Sequence, residues 1–237
     1  MRPLKNWDNK TWLSSKIYIS HFHKFLRTKI KFKKHFAILD IGCGRGNITG
    51  NLQKRYKFKT KPIGIDIIKN KDINKNILFK KIDAKKFLIQ NSKKYDLILI
   101  KQIMHLLDKN KRHSIIQLSK KKLKKNGVLL ILSLSPFNTE LPTFKKFSIN
   151  LKKSLKKDKV VIKEIKRKLK NYKISYFNFK VRIKKLYYIN MIRNRYISCL
   201  LNMSVLEIDN GVKEIEKKYK NNLVFTDKLL CIEYKKN

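Results

Sequence analysis

The stretch ILDIGCGRGNITGNL, residues 38–52, decides how the rest of the chain reads. Phe36-Ala37-Ile38-Leu39 is a short apolar run closed by Asp40 and Ile41, the pattern of a buried strand. Gly42, Gly44 and Gly46 follow at alternate positions and are three of the seven glycines in 237 residues. Glycine permits backbone angles and close approaches that a Cβ forbids, so the cluster predicts a tight turn against something bound. From Gly46 onward, Ile48, Leu52 and Tyr56 recur four apart, the spacing of one buried helical face. Strand, glycine turn and helix in that order offer a helix N-terminus to a ligand beyond the carboxyl end of a strand.

The turn matches neither common nucleotide loop. A dinucleotide fingerprint needs glycine at position 47, where the chain has Asn47, and the Gly-Lys-Ser/Thr of a phosphate loop is absent. The acid-x-G-x-G-x-G pattern that starts at Asp40 resembles the first motif of class I methyltransferases, which use S-adenosylmethionine. A glycine-rich turn with no ligand is the plain alternative. Two further segments favour the first reading. KPIGIDI is a second apolar run ending in Asp66, whose carboxylate is suited to accept hydrogen bonds from both hydroxyls of a ribose. ILFKKIDAKKF ends a third run in Asp83, which reads either as a helix N-cap or, by the resemblance, as the acid near the adenine amino group.

YDLILIKQIMHLL and KLKKNGVLLIL read as the fourth and fifth strands, with NKRHSIIQLSKKKL helical between them and Asn126-Gly127 as the turn into the fifth. Both resemble the later motifs of the same family, so the resemblance runs in order from Ile38 to Leu132. It implies an α/β fold: a Rossmann-like, seven-stranded, mostly parallel sheet with helices on both faces and the last strand antiparallel. An N-terminal helix and a C-terminal helical insertion would cover the site. It also implies S-adenosylmethionine as cofactor, bound by Asp40, Gly42, Cys43, Gly44, Gly46, Asp66, Ile67, Asp83, Ala84 and Lys101.

A chain of this length buries about 70% of its surface and predicts a single domain. Within it, residues 1–35 read as a helical cap, 36–135 as the cofactor core, 136–222 as the substrate side and 223–237 as the final strand. MRPLKNWDNKTW has no continuous apolar segment of the secretory kind and no run approaches a membrane span, so a soluble, cytoplasmic protein is expected. Cys43, Cys199 and Cys231 are odd in number and far apart, which fits a reducing compartment, and neither they nor the five histidines form a metal-ligand pattern. Cys43 occupies a place in the turn where a small side chain is needed.

A net charge of +44 ordinarily points to nucleic acid. Here only nine of the 60 basic residues are Arg, the Lys residues enter every segment, and the excess of Lys, Ile and Asn is what an AT-rich coding bias produces. Phosphate and base recognition favours the bidentate fork of Arg, so most of the charge reads as solvated faces.

The flanks carry the expectations about the methyl acceptor. In NWDNKTWLSSKIYISHFHKFL, Trp12, Ile19, Phe22, Phe25 and Leu26 follow helical spacing, and the helix either lends aromatics to a pocket or packs on the sheet. Pro136 and Pro142 predict a loop after the fifth strand. YKISYFNFKV alternates on two phases, which predicts a strand with a shift or bulge. Helices follow, with Ser204 and Glu207 in capping-box spacing, and NLVFTDKLLCIEY is the last strand. This end resembles small-molecule methyltransferases of the trans-aconitate and juvenile-hormone-acid type. Trp12, Arg193, Arg195 and Tyr196 are the candidates for holding the acceptor, the arginines either on a carboxylate or in surface pairs.

Methyl transfer from a sulfonium needs a base only when the acceptor loses a proton, and His105 is the candidate, as a base or as a packing histidine. The Asn/Asp-Pro-Pro-aromatic motif of nucleic-acid and glutamine methylators is replaced by IKQI. A small-molecule methyltransferase is therefore favoured, with an RNA methyltransferase as the alternative. Intact Asp40, Asp66 and Asp83 speak against a non-catalytic relative.

Overall fold

The computed structural model describes residues 11–137 and 139–237, so the part of the N-terminal reading that rests on residues 1–10 lies outside the described residues, as does Asn138. A seven-stranded sheet runs through the molecule. Its strands are β1 (Ile38–Ile41), β2 (Ile63–Asp66), β3 (Leu78–Lys81), β4 (Tyr95–Lys101), β5 (Leu123–Leu134), β6 (Lys173–Lys184) and β7 (Asn222–Lys235), in the order β3-β2-β1-β4-β5-β7-β6. β3, β2, β1, β4 and β5 are parallel, and β7 runs antiparallel between β5 and β6. The chain starts at β1, builds outward to β3, then returns to the other side of β1 with β4. That reversal opens a crevice at the carboxyl ends of β1 and β4, where open α/β sheets bind ligands.

Both faces are covered. Along β4, Leu97 and Leu99 enter one core and Ile98 and Ile100 the other, so an unbroken apolar run is what this strand requires. The first core packs under α1 (Lys16–Arg27), α2 (Asn47–Tyr56), α6 (Lys185–Arg193) and α7 (Val205–Lys218), and the second under α3 (Ala84–Gln90) and α4 (Lys109–Lys121). The 25-residue α5 (Lys145–Leu169) belongs to both: Phe147 and Leu151 join the first core, while Val161, Ile162, Ile165 and Leu169 join the second. No described helix is long and apolar enough to cross a membrane.

Several local expectations change. Trp12 is not part of α1; it occupies a 3-10 turn, Trp12–Ser14, ahead of it. α1 packs on the sheet, with Tyr18 edge-on to Phe177 and Phe179 of β6. β6 pairs with β7 over twelve consecutive residues without a bulge. Its two apolar phases are its two faces: Phe177, Phe179 and Val181 are buried, and Ile174 and Tyr176 are exposed. Asn126-Gly127 does not separate α4 from β5. Tyr95 pairs with Leu123 and Leu97 with Val128, so the pair loops out inside β5, with Asn126 at φ +62°. Residues 145–169, to which the sequence pattern assigned no element, form the longest helix. The Ser204–Glu207 capping box forms as expected, with Ser204 Oγ accepting from the Glu207 amide at 3.1 Å and Glu207 Oε2 from the Ser204 amide at 2.8 Å.

Candidate active site

The glycine turn is laced to the end of β2. The amides of Gly42 and Cys43 donate to the Ile65 carbonyl at 2.8 and 3.1 Å, and the Gly44 amide donates to Asp66 Oδ2 at 2.9 Å. Gly42, Gly44 and Gly46 all adopt positive φ. A Cβ at Gly42 would lie 2.5 Å from Ile103 Cγ2, so that position needs glycine twice over, for its φ of +70° and for room. At Gly44 nothing approaches within 4 Å, and the requirement there is conformational alone.

Around the turn stand carboxylates, each at a strand's end. Asp66 Oδ1 accepts from the Ile68 amide at 3.1 Å, so each oxygen of Asp66 holds one backbone donor and keeps a lone pair for a ligand. Burial raises its pKa. Asp40 is buried beneath the turn, accepts from Thr49 Oγ1 at 2.9 Å, and is pushed up to about 7 by burial, against the opposing pull of Thr49 and the Lys101 charge. Asp83 caps α3, its Oδ1 accepting from the Lys85 and Lys86 amides at 2.9 and 3.1 Å, and it also faces the cavity described next. The two readings of Asp83 are compatible in space.

A cavity of about 310 Å³ opens where these ends meet, within the range of ligand sites. Its floor is Gly42, Asp66, Ile67, Asp83, Ala84 and Lys101. One wall is the segment after β4, Gln102, Ile103 and His105, the last in the 3-10 turn Met104–Leu106. Burial lowers the His105 pKa from the ordinary imidazole value, which leaves the ring neutral and able to accept a proton at neutral pH. The roof is α5, with Leu151, Ser154, Leu155 and Asp158, and the segment Tyr196, Ser198 and Cys199.

Of the residues singled out from sequence, Asp40, Cys43, Gly44 and Gly46 sit behind the cavity wall and shape the turn. Cys43 is a small filler against Gly64, and burial pushes its thiol far up, away from nucleophilic reactivity. Lys101 Nζ lies 5.5 Å over the Tyr18 ring and 5.9 Å over Phe22. Trp12 is off the main cavity; its Nε1 donates to buried Asp227 Oδ2 at 3.1 Å, and its ring meets Tyr196 and Phe225 edge-on. Tyr196 does reach the cavity, its hydroxyl 3.0 Å from that of Tyr188. The two arginines do not. Arg193 reaches Asp209 at 4.0 Å on the exposed surface, and Arg195 Nη2 donates to the Met203 carbonyl at 3.0 Å.

The roof residues of α5 escaped the sequence reading. Their signal was present: Phe147, Leu151, Leu155, Ile162, Ile165 and Leu169 keep a helical apolar stripe, and Asp158 is an acid inside it. Among the described residues no group of His, Cys, Asp and Glu is placed to hold a metal ion.

Solved structures of the same architecture are methyltransferases of low sequence identity. A candidate methyltransferase of an antibiotic biosynthesis pathway from Anabaena variabilis aligns at a TM-score of 0.65 and 10% identity over 90% of this chain and 96% of that one. The plantazolicin methyltransferase BpumL, solved with a pentazolic desmethylPZN analog and S-adenosylhomocysteine, aligns at 0.55 and 16% over 98% and 89%. The N-methyltransferase NodS from Bradyrhizobium japonicum, also with S-adenosylhomocysteine, aligns at 0.51 and 13% over 96% and 92%. No curated protein matches the sequence. These likenesses establish the fold, and the family comes from the sequence itself: a methyltransferase-domain profile matches residues 32–194, which include the glycine turn, the strand-end acids and much of the roof, so the chain belongs to the methyltransferase domain family.

Proposed function

We propose that this methyltransferase moves a methyl group from S-adenosylmethionine to a small molecule held in the cavity between the strand ends and α5. The observation that carries the reading is the cavity's chemistry. In a chain of net charge +44, its titratable lining consists of Asp66, Asp83 and Asp158 with Lys101, His105, Tyr196 and Cys199, so carboxylates outnumber cations where the rest of the molecule is the reverse. A cofactor that is itself a sulfonium cation fits that balance, and the Gly42 turn gives it a backbone surface that no Cβ intrudes upon. Two structures of the same fold hold S-adenosylhomocysteine.

When bound, S-adenosylmethionine supplies a methyl group already activated by its sulfonium. The chain's residues align and enclose. Asp66 would take the ribose hydroxyls on its remaining lone pairs, Asp83, Ala84 and Ile67 would hold the base, and Gly42, on the turn that Cys43, Gly44 and Gly46 shape from behind, would receive the methionine end. Leu151, Leu155 and Ile103 exclude water, which strengthens every polar contact inside. His105 takes a proton from an acceptor that must lose one. The roof limits the acceptor to what fits beneath a helix, which favours a small molecule over a folded RNA.

Calorimetric titration with S-adenosylhomocysteine tests the cofactor assignment, and methyl-labelled S-adenosylmethionine with an extract split into RNA, protein and small-molecule fractions tests the acceptor class. Binding with label in the small-molecule fraction is the expected outcome. Label confined to RNA would overturn the acceptor assignment, and absent binding would overturn the cofactor.

A further inference from the structure

Among the described residues three aspartates are buried: Asp40, Asp158 and Asp227. Asp40 accepts from Thr49 and Asp227 from the Trp12 indole, as buried carboxylates ordinarily must. Asp158 is 8% exposed and has no hydrogen bond or ion pair among the described residues. Cations are not scarce around it. Lys152, Lys153, Lys156, Lys157 and Lys159 stand on the same helix within two turns, all exposed, and none pairs with it. The apolar stripe of α5 explains why. Leu151 and Val161 anchor the helix in two different cores on either side, which turns Asp158 inward over the cavity and the lysines outward to water.

An unpaired acid costs stability wherever it is buried, and replacement by leucine would complete the stripe. The floor of the cavity, from Gly42 to Ala84, is the part assigned above to the cofactor. Asp158 belongs to the opposite side, on a helix that packs against both the His105 turn and the Ser198–Leu200 turn. Its lining neighbours Leu151, Leu155 and Ile197 are apolar, and Ser154 one turn earlier adds a hydroxyl.

We propose that Asp158 is the acceptor-recognition residue of this methyltransferase and that the acceptor carries a positively charged nitrogen on an apolar body, an alkyl or aryl amine, whose N–H groups Asp158 accepts. The inference rests on the reading of the cavity as a methyl-transfer site and names the substrate class of that site. The acceptor's ammonium supplies the partner that none of the neighbouring lysines provides, and its arrival relieves the isolation of the carboxylate. A carboxylate acceptor, which Arg193 and Arg195 would have suited, would meet like charge at Asp158.

The test uses the full chain saturated with S-adenosylhomocysteine and matched probe pairs that differ only in the end group: benzylamine against benzyl alcohol, phenethylamine against 2-phenylethanol, tryptamine against tryptophol. Binding is read by calorimetry in the wild type, Asp158→Asn and Asp158→Leu. At least one amine should bind the wild type about tenfold or more tightly than its alcohol, and both variants should lose that preference. S-adenosylhomocysteine affinity should stay within about twofold, and melting temperature should hold or rise in Asp158→Leu because no bond is broken. No amine preference in wild type that binds S-adenosylhomocysteine would overturn the proposal and leave the cofactor assignment standing. Lost S-adenosylhomocysteine affinity in Asp158→Asn would overturn it by placing the acid on the cofactor, and lower melting temperatures in both variants would overturn it in favour of a structural role. Wild type that binds no S-adenosylhomocysteine fails at the earlier step and overturns both.

Discussion

The floor and the roof of the cavity are built on opposite plans. On the floor, Gly42, Asp66 and Asp83 each lie within two residues of the end of a parallel strand, and the sheet's hydrogen bonds fix them relative to one another. In the roof, Leu151, Ser154, Leu155 and Asp158 lie in the middle of a helix, held by the cores that its two ends enter and by side-chain bonds such as Arg112 to Glu164 and Asn150 to the Cys199 carbonyl. A strand-end position follows from topology, whereas a helix-face position follows from packing. In the proposed reading the floor holds the cofactor, and the roof is free to set the acceptor. Variants on the two sides should separate cofactor binding from acceptor use, and His105, at the junction, should affect neither binding step.

The largest effect is expected at that junction. His105→Gln keeps a polar side chain of similar reach but cannot take up a proton. Where the acceptor loses a proton on attack, methyl transfer should fall about 10²-fold or more while S-adenosylhomocysteine binds as before. Burial lowers the His105 pKa from the ordinary imidazole value, so wild-type kcat should be flat at neutral pH and above and fall on the acid side as the ring becomes protonated. Label-transfer rates across pH check both statements, and an unchanged rate in His105→Gln would assign the ring to packing.

On the floor, Asp66→Ala removes the oxygens proposed to take the ribose hydroxyls and leaves the Gly44 and Ile68 amides without their partner. A loss of about 2–4 kcal/mol in S-adenosylhomocysteine binding is expected by calorimetry. Equal affinity in wild type and variant would sink the assignment of Asp66 to the cofactor. Gly42→Ala comes next. The new methyl would press on Ile103 in a backbone conformation that alanine adopts at a cost of about 1–3 kcal/mol, to be seen in both melting temperature and cofactor affinity.

What could be read from the residues follows the same division. The acid-x-G-x-G-x-G turn, Asp66 and Asp83 are legible because a parallel strand buried on both faces is an apolar run with an acid at its end, and the order of such runs is the order of the fold. α5 is illegible for a physical reason: its exposed face is so rich in lysine that the apolar stripe of residues 147–169 is hard to separate from the charge around it. β6 misleads differently. An edge strand with apolar residues on both faces looks like one face with a slipped phase, and only its unbroken pairing with β7 shows otherwise. Trp12 and Tyr196 carry the residue types of an aromatic pocket, yet Trp12 is spent on covering Asp227.

The smallest expected effect tests the roof from outside. Arg193, Arg195 and their neighbouring tyrosines have the composition of a carboxylate site, and composition alone cannot say which way a side chain faces. In the folded chain Arg193 and Asp209 are both about half exposed with 4.0 Å between their charged atoms, a geometry whose worth is about 0–1 kcal/mol and is screened by salt. Arg193→Ala should therefore lower stability by about 0.5 kcal/mol or less, with no change in S-adenosylhomocysteine affinity or in the KM of the acceptor once that acceptor is found. A KM that rises tenfold with stability intact would bring the guanidinium back over the cavity, about 1.4 kcal/mol of binding that the observed surface pair does not provide. It would also reverse the charge expected of the acceptor. An unchanged KM would leave the buried acid of α5 as the charged group that the roof presents to whatever the floor methylates.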